Sequence, residues 1–571
     1  MPARPAPSFW ARDGWRLAVL VLIGVGLRVV VIANTTLPSR DSIVFVRYAL
    51  DLEDPPSGPD GPLGFFGVIR ANEHPPAYPL AILLVSKVVR PLAGGTTVPA
   101  MALSAQVASA LAGVLLTLPF YGLVRRILDR NLAFSAAAVF GVLPGFVEVT
   151  SDGISDGLFW LTTVTALWFA VRALGTTGRR AATLNGFGAG ACCGLGYLVR
   201  PEAAVIALSI GLTLAGVVAV LWLRRKRGDT TAGRIGPRFQ AGLALVVGWA
   251  LVTAPYMALI GGITNKPSGG GWLKKLQGKE IDPTYFDRQG ARPAVRLPLA
   301  AWWDPNADAG QSRTVWALSS LWNEYWKASF YVLPAFGLIG LFGVGRRLAD
   351  PRVILLLVVA GLQALLLWSL AVFIGYVSQR HTILIVLVTA VFAAAGFQLL
   401  ADLAIRAWHT QAVSRRAVRF VTPLAGAATG ESLVRAMRAV DPRVLVAIWT
   451  MIVVAIAVPR NFKSLHEERA GHKAAGLWMR DHVEPDWQIV DPFGWAEWYT
   501  GRTLRAIPNP EPTKGPGVYV VYEPNAKSPH SRLGLYDMAR GLAAPEKMVY
   551  RYPEGAPDDE VKVAVYRVPK P

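Results

Sequence analysis

The sequence predicts an all-α bundle that crosses a membrane about eleven times and is followed by a small soluble α/β domain. Of the 571 residues, 53% are hydrophobic and only 17% are charged. Soluble domains carry more charge and lack repeated long apolar runs. The basic residues form short clusters between the apolar runs, and the chain turns polar after Pro459. A polytopic membrane protein is the class that fits these observations.

The formal net charge of +20 does not indicate a nucleic-acid partner. Its basic clusters follow apolar runs, as cytoplasmic loops of membrane proteins do, and no basic patch is interleaved with exposed aromatic residues. The two cysteines, Cys192 and Cys193, are adjacent in an apolar segment. Neighbours in a helix point about 100° apart, so we expect neither a disulfide nor a metal site from this pair.

The first apolar run, Leu17–Ala33, follows several arginines and predicts an uncleaved signal anchor, because it is long and no A-x-A cleavage site is evident. Its start then lies in the cytoplasm, and the Pro- and Gly-rich loop Asn34–Pro79 lies outside. The short run Ala77–Val89 would put Arg125 on the outside if it were a span. We therefore expect a helix that lies in the outer interface.

Ten further spans complete the predicted bundle. In this arrangement basic clusters such as Arg224–Arg227 fall on the cytoplasmic side. The last span is shorter than the usual length of about 17–25 residues. The ten are Met101–Val124, Leu132–Val149, Leu158–Leu174, Leu184–Val199, Ala203–Leu223, Phe239–Ile260, Ala328–Val344, Val353–Ile374, Thr382–Leu403 and Val444–Val458.

We expect residues 1–459 to form the membrane domain, with large outside loops at 34–100 and 261–327. The second loop is rich in tryptophan, which fits an interfacial segment; examples are Trp302, Trp303, Trp322 and Trp326. The stretch Ala404–Arg443 holds seven arginines and no lysine, and predicts a cytoplasmic loop with an amphipathic helix.

Residues 460–571 predict a soluble α/β domain on the non-cytoplasmic side. The pattern indicates one helix, Glu467–His482, and strands with alternating apolar residues. The predicted strands are Gln488–Val490, Gly517–Tyr522, Lys547–Tyr552 and Val561–Arg567.

Asp41 follows the first span by a few residues. An acid fixed near the outer leaflet could deprotonate an acceptor hydroxyl or amine at a lipid-borne sugar, or hold a metal. The alternative is a solvated carboxylate, or an ion-pair partner for Arg40 or Arg47.

A pair of acids, Asp152 and Asp156, lies in the loop between the third and fourth spans. The predicted topology puts this loop on the same side as Asp41, so the acids could build one site. Asp156 also suits the N-cap of the next span, a role that is compatible with catalysis.

The run Glu73-His74-Pro75-Pro76 opens the expected interfacial helix. The prolines stiffen the backbone, and His74 could neutralise a phosphate or hydrogen-bond a substrate. The alternative is an ordinary Pro-rich helix start. Asp41, Glu73, His74 and Asp156 are metal-ligand residue types, but their spacing is not that of a known metal motif. A divalent metal ion is therefore a candidate cofactor and no more.

Two arginines lie at predicted outer edges, Arg200 with Glu202 and Arg380 with His381. The guanidinium fork matches phosphate oxygens, which makes these residues candidates for substrate binding. The alternatives are an Arg200–Glu202 pair and a snorkelling arginine. Arg28 lies inside the first span, where a charge is costly; we expect it to face the bundle or to snorkel outward.

These features occur in an order that resembles the polytopic glycosyltransferases with the GT-C fold. The set comprises the acid after span one, the run H-P-P-A-Y-P, the acid that opens span four, the run L-V-R-P-E and a late outside arginine. It is most similar to the bacterial relatives of the protein O-mannosyltransferases and aminoarabinose transferases. The resemblance covers about Leu17 to Leu403.

The resemblance implies a polyprenyl-phosphate-linked sugar donor and transfer on the non-cytoplasmic face of the cell inner membrane. It assigns Asp41 the role of general base or acceptor-positioning group, and makes Asp156 the second acid. It places His74 near the donor and Arg380 at the donor phosphate.

The chain departs from the family pattern in two places. The loop between its third and fourth spans has two acids, so Asp152 is also a candidate. His381 follows Arg380 where the family has tyrosine. We expect an inverting glycosyltransferase that acts on a lipid, glycan or protein acceptor. Two alternatives remain: a transporter or lipid-sugar flippase, which needs charged or broken spans near the membrane midplane, and an inactive scaffold that acts through Pro459–Pro571.

Overall fold

Helices dominate the computed structural model, which describes residues 9–58, 61–229, 233–266, 313–374, 376–409, 440–502, 504, 515–526 and 535–570. Among these residues, eight helices are long and apolar enough to cross a membrane, and a strongly bent helix pair raises the number to nine. The eight spans are Asp13–Ala33, Val98–Val124, Asp156–Gly175, Ala203–Lys226, Ile235–Ile260, Pro351–Val372, Gln379–Ala407 and one that begins at Pro442.

Twenty α-helices occur in the described residues. They are α1 Phe9–Ala33, α2 Arg40–Glu53, α3 Gly64–Ala71, α4 Ala77–Leu92, α5 Val98–Leu115, α6 Thr117–Val124, α7 Arg130–Val142, α8 Pro144–Val149, α9 Asp156–Gly175, α10 Arg179–Tyr197, α11 Ala203–Lys226, α12 Ile235–Ile260, α13 Arg313–Ala328, α14 Leu333–Val344, α15 Pro351–Ile374, α16 Gln379–His409, α17 Pro442–Ala457, α18 Ala470–His482, α19 Trp495–Tyr499 and α20 Tyr536–Leu542.

Three predicted spans differ in detail from the structure. The expected span Leu132–Val149 is divided into α7 and α8, because Pro144 begins a new helix and cannot continue the old one. The expected span Ala328–Val344 is α14, which follows α13 at a bend of 92°. The expected span Leu184–Val199 lies in α10, which starts earlier, at Arg179, and is not among the eight spans above.

Glycines let α10 pack closely on α12, as its composition predicts. A Cβ atom at Gly186 would collide with the backbone of Ala241, and one at Gly190 with the backbone of Leu245. The two helix backbones are therefore nearly in contact along this interface.

The segment expected as the first outside loop contains α2, α3 and a short hairpin, β1 Ser57–Gly58 with β2 Gly61–Pro62. It leads into α4, which is shorter than a span. One face of α4 exposes Leu80, Leu84, Val88 and Leu92. These residues recur every four positions, so they form the apolar stripe of an amphipathic helix. The location of this helix in the membrane interface stays a prediction.

The C-terminal region folds into a four-stranded mixed sheet. Its strands are β3 Gln488–Val490, β4 Gly517–Tyr522, β5 Met548–Tyr552 and β6 Val563–Pro569. They lie in the order β3-β4-β6-β5, in which the pair β3–β4 is parallel and the pairs β4–β6 and β5–β6 are antiparallel. The predicted helix and all four predicted strands are confirmed within a few residues.

Both faces of this sheet are covered. Val521 and Val565 pack with Met479 of α18 on one face. Val520 and Ala564 pack with Ala539 of α20 on the other. This alternation follows from the period of two along a strand.

Some sequence predictions concern residues outside the described ranges. They include Trp302, Trp303 and most of the expected loop 261–327, together with the expected amphipathic helix in the arginine-rich stretch before α17. The division of the chain at residues 459 and 460 stays a prediction, although α17 ends at Ala457.

Candidate active site

The first element of the candidate site is an ion pair between Asp41 and Arg380. Asp41 lies in the first turn of α2, where the side chain of Ser39 accepts a hydrogen bond from its backbone N–H. Arg380 lies in the first turn of α16, and its Nη1 donates to Asp41 Oδ2 at 2.7 Å. The Asp41 side chain keeps 48% of its surface exposed, so a substrate can reach it. Arg380 Nε is buried and has no hydrogen-bond partner among the described residues.

The second element is an ion pair between Asp156 and Arg200. Asp156 is the first residue of α9 and is almost fully buried. Arg200 comes from the turn between α10 and α11 and donates a hydrogen bond from Nη1 to Asp156 Oδ1. The same turn contacts the start of α4, because the N–H of Ala77 donates to the carbonyl of Leu198 at 2.9 Å. Two of the runs singled out in the sequence are therefore in direct contact.

The two ion pairs belong to one cluster. Arg200 interacts electrostatically with Asp41, and Arg380 with Asp156. Burial raises the pKa of Asp41, but Arg380 and then Arg200 lower it, and the net result is a pKa of about 2. The carboxylate is thus ionised at neutral pH.

Asp152 lies beside this cluster and binds the start of α2. Its Oδ1 accepts from the backbone N–H of Ser39 at 2.8 Å, and its carbonyl accepts from Ser42 Oγ at 2.8 Å. Burial raises the pKa of Asp152, while His466 and Ser39 lower it in part. Asp152 therefore supports the helix that carries Asp41.

Gly153 allows this close approach of the two loops. Its φ is +72°, a left-handed conformation that other residues rarely adopt. A Cβ atom there would lie 3.0 Å from Ser42 Oγ and 3.2 Å from the Cβ of Ala105.

Glu202 lies next to Arg200 and pairs with Lys266, whose Nζ is 3.3 Å from Glu202 Oε1. Burial raises the pKa of Glu202, but Lys266 and then Arg200 lower it to about 2. The sequence analysis did not single out Lys266. Its signal was modest: it is the first basic residue after α12, on the side that the predicted topology assigns to the outside.

His74 is half-buried, and its ring centroid lies 5.0 Å from that of Phe45. Burial and then Lys266 lower the pKa of His74 to about 4. The imidazole is therefore neutral near pH 7 and is suited to hydrogen bonding rather than to charge neutralisation, the two roles expected from the sequence. The neighbouring Glu73 is exposed.

His381 is held by the turn that precedes α16. Its Nδ1 accepts from the N–H of Ser378 at 3.2 Å, and its ring meets that of Tyr376 edge-on at 5.8 Å. His381 thus helps to shape the turn that presents Arg380.

His466 is a second residue that the sequence analysis missed. Its Nε2 lies 3.0 Å from Asp152 Oδ2, so the C-terminal region reaches the loop between α8 and α9 that carries Asp152. Nothing in the local sequence marks this histidine, because the contact is made by tertiary structure alone.

The metal set suggested by the sequence is not evident in the fold. Within the described ranges, no group of three or more His, Cys, Asp and Glu side chains is arranged to hold a metal ion. Asp41 and Asp156 each pair with a guanidinium. A metal requirement stays a prediction from the sequence, which activity measurements with and without a chelator would test.

Comparisons with known proteins agree with this architecture. Residues 73–230 match the family described as dolichyl-phosphate-mannose-protein mannosyltransferase. That range holds both runs that meet at Ala77 and Leu198, together with Asp152 and Asp156. Asp41 and Arg380 lie outside it. No curated protein matches the chain significantly in sequence.

Two solved structures are similar over most of the chain. The oligosaccharyltransferase AglB from Archaeoglobus fulgidus, in complex with an inhibitory peptide and a dolichol-phosphate, is 16% identical with a TM-score of 0.50. That match covers 88% of this chain and 61% of AglB, so the chain spans about three fifths of that protein's length. ArnT from Cupriavidus metallidurans bound to undecaprenyl phosphate is 15% identical with a TM-score of 0.49, and the match covers 97% of this chain and 98% of ArnT.

At these identities the structural likeness concerns the fold. The chain has the GT-C fold, and its residues 73–230 are similar to the dolichyl-phosphate-mannose-protein mannosyltransferase family.

Proposed function

We propose that this protein is a membrane glycosyltransferase. It transfers a sugar from a polyprenyl-phosphate-linked donor to an acceptor on the non-cytoplasmic face of the cell inner membrane. The observation that carries the proposal is the Asp41–Arg380 ion pair at 2.7 Å, in one cluster with Asp156 and Arg200. The family that residues 73–230 match, and the lipid phosphates bound by AglB and ArnT, support a polyprenyl-phosphate-linked donor.

Asp41 is the base of the proposed reaction. In the resting state Arg380 holds Asp41. When the donor binds, its phosphate competes for the guanidinium, which relieves the field on Asp41 and makes its carboxylate more basic. Asp41 then accepts the proton of the acceptor hydroxyl or amine, and its exposed surface gives the acceptor access.

The acceptor atom attacks the anomeric carbon on the face opposite the phosphate. The bond from that carbon to the phosphate oxygen breaks, and the polyprenyl phosphate leaves with the electron pair, so that the anomeric configuration inverts. Arg380 stabilises the negative charge on the departing phosphate. The orphan Nε of Arg380 adds a donor for this purpose.

The neighbouring residues complete the donor site. Arg200 and Lys266 are the further cations of the cluster, held by Asp156 and Glu202 respectively. His74, neutral near pH 7, offers a hydrogen bond to the sugar or the phosphate. The acceptor can be a lipid, a glycan or a protein in this proposal, and membrane lipid surrounds the site.

A reconstituted assay tests the proposal. Purified protein in lipid nanodiscs receives tritiated polyprenyl-phosphate mannose, and in parallel further hexose and pentose donors, together with a membrane extract as acceptor. We expect the wild type to release polyprenyl phosphate and to move the label into the acceptor fraction. We expect Asp41→Asn and Arg380→Ala to lose each about 10²–10⁴-fold in rate.

The same assay separates the transporter or flippase alternative, since such a protein would relocate the donor without breaking its glycosyl bond. Normal turnover in both variants at equal protein level, or release from no donor in the wild type, would overturn the proposal.

A further inference from the structure

We propose that the C-terminal α/β region completes the catalytic centre, and that His466 is the positioning residue through which it does so. This inference rests on the proposed glycosyl transfer, with Asp41 as its base. His466 holds Asp152, and Asp152 holds the end of α2 on which Asp41 lies.

The carboxylate of Asp152 bridges two parts of the chain. Asp152 Oδ2 lies 3.0 Å from His466 Nε2, and Asp152 Oδ1 accepts from the N–H of Ser39 at 2.8 Å. Ser39 in turn caps α2, because its Oγ accepts from the N–H of Asp41 at 3.2 Å. Three consecutive hydrogen bonds therefore connect His466 to the backbone of the proposed base.

Asp152 itself is buried. Its side chain keeps only 12% of its surface exposed, and both of its oxygens have partners. A buried carboxylate that loses a partner is costly, so removal of the imidazole leaves Asp152 free to turn or to take up a proton. Either change alters the hydrogen bond to Ser39.

The backbone of His466 adopts an unusual conformation. Its φ is 56° and its ψ is 29°, a left-handed conformation that non-glycine residues rarely adopt. Such a conformation persists where the surroundings determine it, often at functional sites. In His466 this conformation directs the imidazole from the C-terminal region toward Asp152, in the loop between α8 and α9.

A row of hydrogen bonds holds the segment that leads to Asp41. The carbonyls of Asn34, Thr36 and Pro38 alternate along this segment, and each accepts a hydrogen bond from the C-terminal region. The donors are Ser464 Oγ at 2.6 Å, Lys473 Nζ at 2.9 Å and Trp495 Nε1 at 2.9 Å, in that order. The segment is thus fixed along its length, and His466 acts at its far end.

These contacts fix the orientation of the base, and misplacement of a reacting group by about 1 Å can cost 10²-fold in rate. We therefore expect loss of the imidazole to lower kcat by about 10–100-fold. The KM for the donor should stay within about threefold, because the proposed donor-site residues Arg200, Lys266 and His74 are not part of the hydrogen-bond chain that starts at His466.

His466→Gly is the sharpest test, because glycine adopts the left-handed conformation at no steric cost and removes only the side chain. His466→Asn is the rescue variant, since asparagine tolerates this conformation and its amide can donate to Asp152. His482→Ala is the matched control: it removes a histidine from the exposed end of α18 in the same region. Folding is checked by the thermal midpoint of each variant.

We expect His466→Gly to lose kcat while its thermal midpoint stays above the assay temperature, His466→Asn to recover most of the rate, and His482→Ala to match the wild type. The double variant His466→Gly/Asp152→Asn should fall no further than Asp152→Asn alone, because the two residues act as a unit. Wild-type kcat in His466→Gly, or additive losses in the double variant, would overturn the inference.

The failure of this inference is distinguishable from that of the proposed function. A wild type that transfers sugar and an inactive Asp41→Asn variant, together with a fully active His466→Gly variant, would refute only the role of His466. A wild type that transfers no sugar would refute the proposed function.

Discussion

Arg380 Nη1 donates to Asp41 Oδ2 at 2.7 Å, although the two residues are 339 positions apart in the chain. The contact joins the first turn of α2 to the first turn of α16, so it brings together an early and a late part of the membrane region. Asp156 and Arg200 form a second pair beside it. Each acid that we propose for the reaction is thus held by a guanidinium before substrate binds.

The pH dependence of the reaction should report the first pair. Arg380 is the main cation that lowers the pKa of Asp41 to about 2, so its removal raises that pKa. The carboxylate is the active form, and a raised pKa reduces its fraction at acid pH. We expect the acidic limb of the kcat/KM profile in Arg380→Gln to move to higher pH by roughly 1–3 units.

Arg40→Gln is the matched control for that profile. Arg40 is exposed and lowers the pKa of Asp41 less than Arg380 does, so its limb should move by less. An Arg380→Gln profile that coincides with the wild type would show that the pair does not control the base.

Gly153 is predicted to be intolerant of a side chain. Gly153→Ala places a methyl group in a left-handed conformation and against Ser42 Oγ, which should cost about 1–3 kcal/mol of stability. It should also displace Asp152 and so lower kcat. Gly175→Ala is the control, because a Cβ atom there meets nothing within 4 Å. Equal thermal midpoints and rates for the two variants would contradict the account of the loop.

Cysteine labelling tests which side of the membrane the site faces. In a chain with Cys192 and Cys193 replaced by alanine, Ala71→Cys and Arg227→Cys each place one thiol at an exposed position. Basic clusters such as the one at Arg227 are typical of the cytoplasmic side. We expect a membrane-impermeant maleimide to label Ala71→Cys in spheroplasts, and Arg227→Cys only after permeabilisation. The reverse pattern would place the site on the cytoplasmic face.

Much of the architecture could be predicted from local pattern. Apolar runs with basic flanks placed most spans, and strict alternation placed the four strands within a few residues. The span boundaries near Pro144 and around α13 and α14 differed, because a proline and a sharp bend break helices inside continuous apolar stretches. Hydropathy averages over such breaks and does not detect them.

The site was predictable where a residue lies at the edge of a span. Asp41, Asp156, Arg200 and Arg380 are costly next to hydrocarbon, and this cost marks them in the sequence. How they pair was not predictable, since it depends on which helix ends meet. His466 carried no local mark at all, because it lies in a polar region where a histidine is ordinary.

The central claim is that the Asp41 carboxylate takes the acceptor proton during sugar transfer. Single-turnover transfer from a labelled polyprenyl-phosphate sugar, compared between Asp41→Asn and Asp54→Asn, tests it most directly. Both variants remove one charge from the same region: Asp41 lies at the start of α2, and Asp54 is the exposed residue that caps its end. We predict a loss of about 10²–10⁴-fold for Asp41→Asn and a wild-type rate for Asp54→Asn. Equal rates in the two variants, at equal expression and thermal midpoint, would contradict the claim.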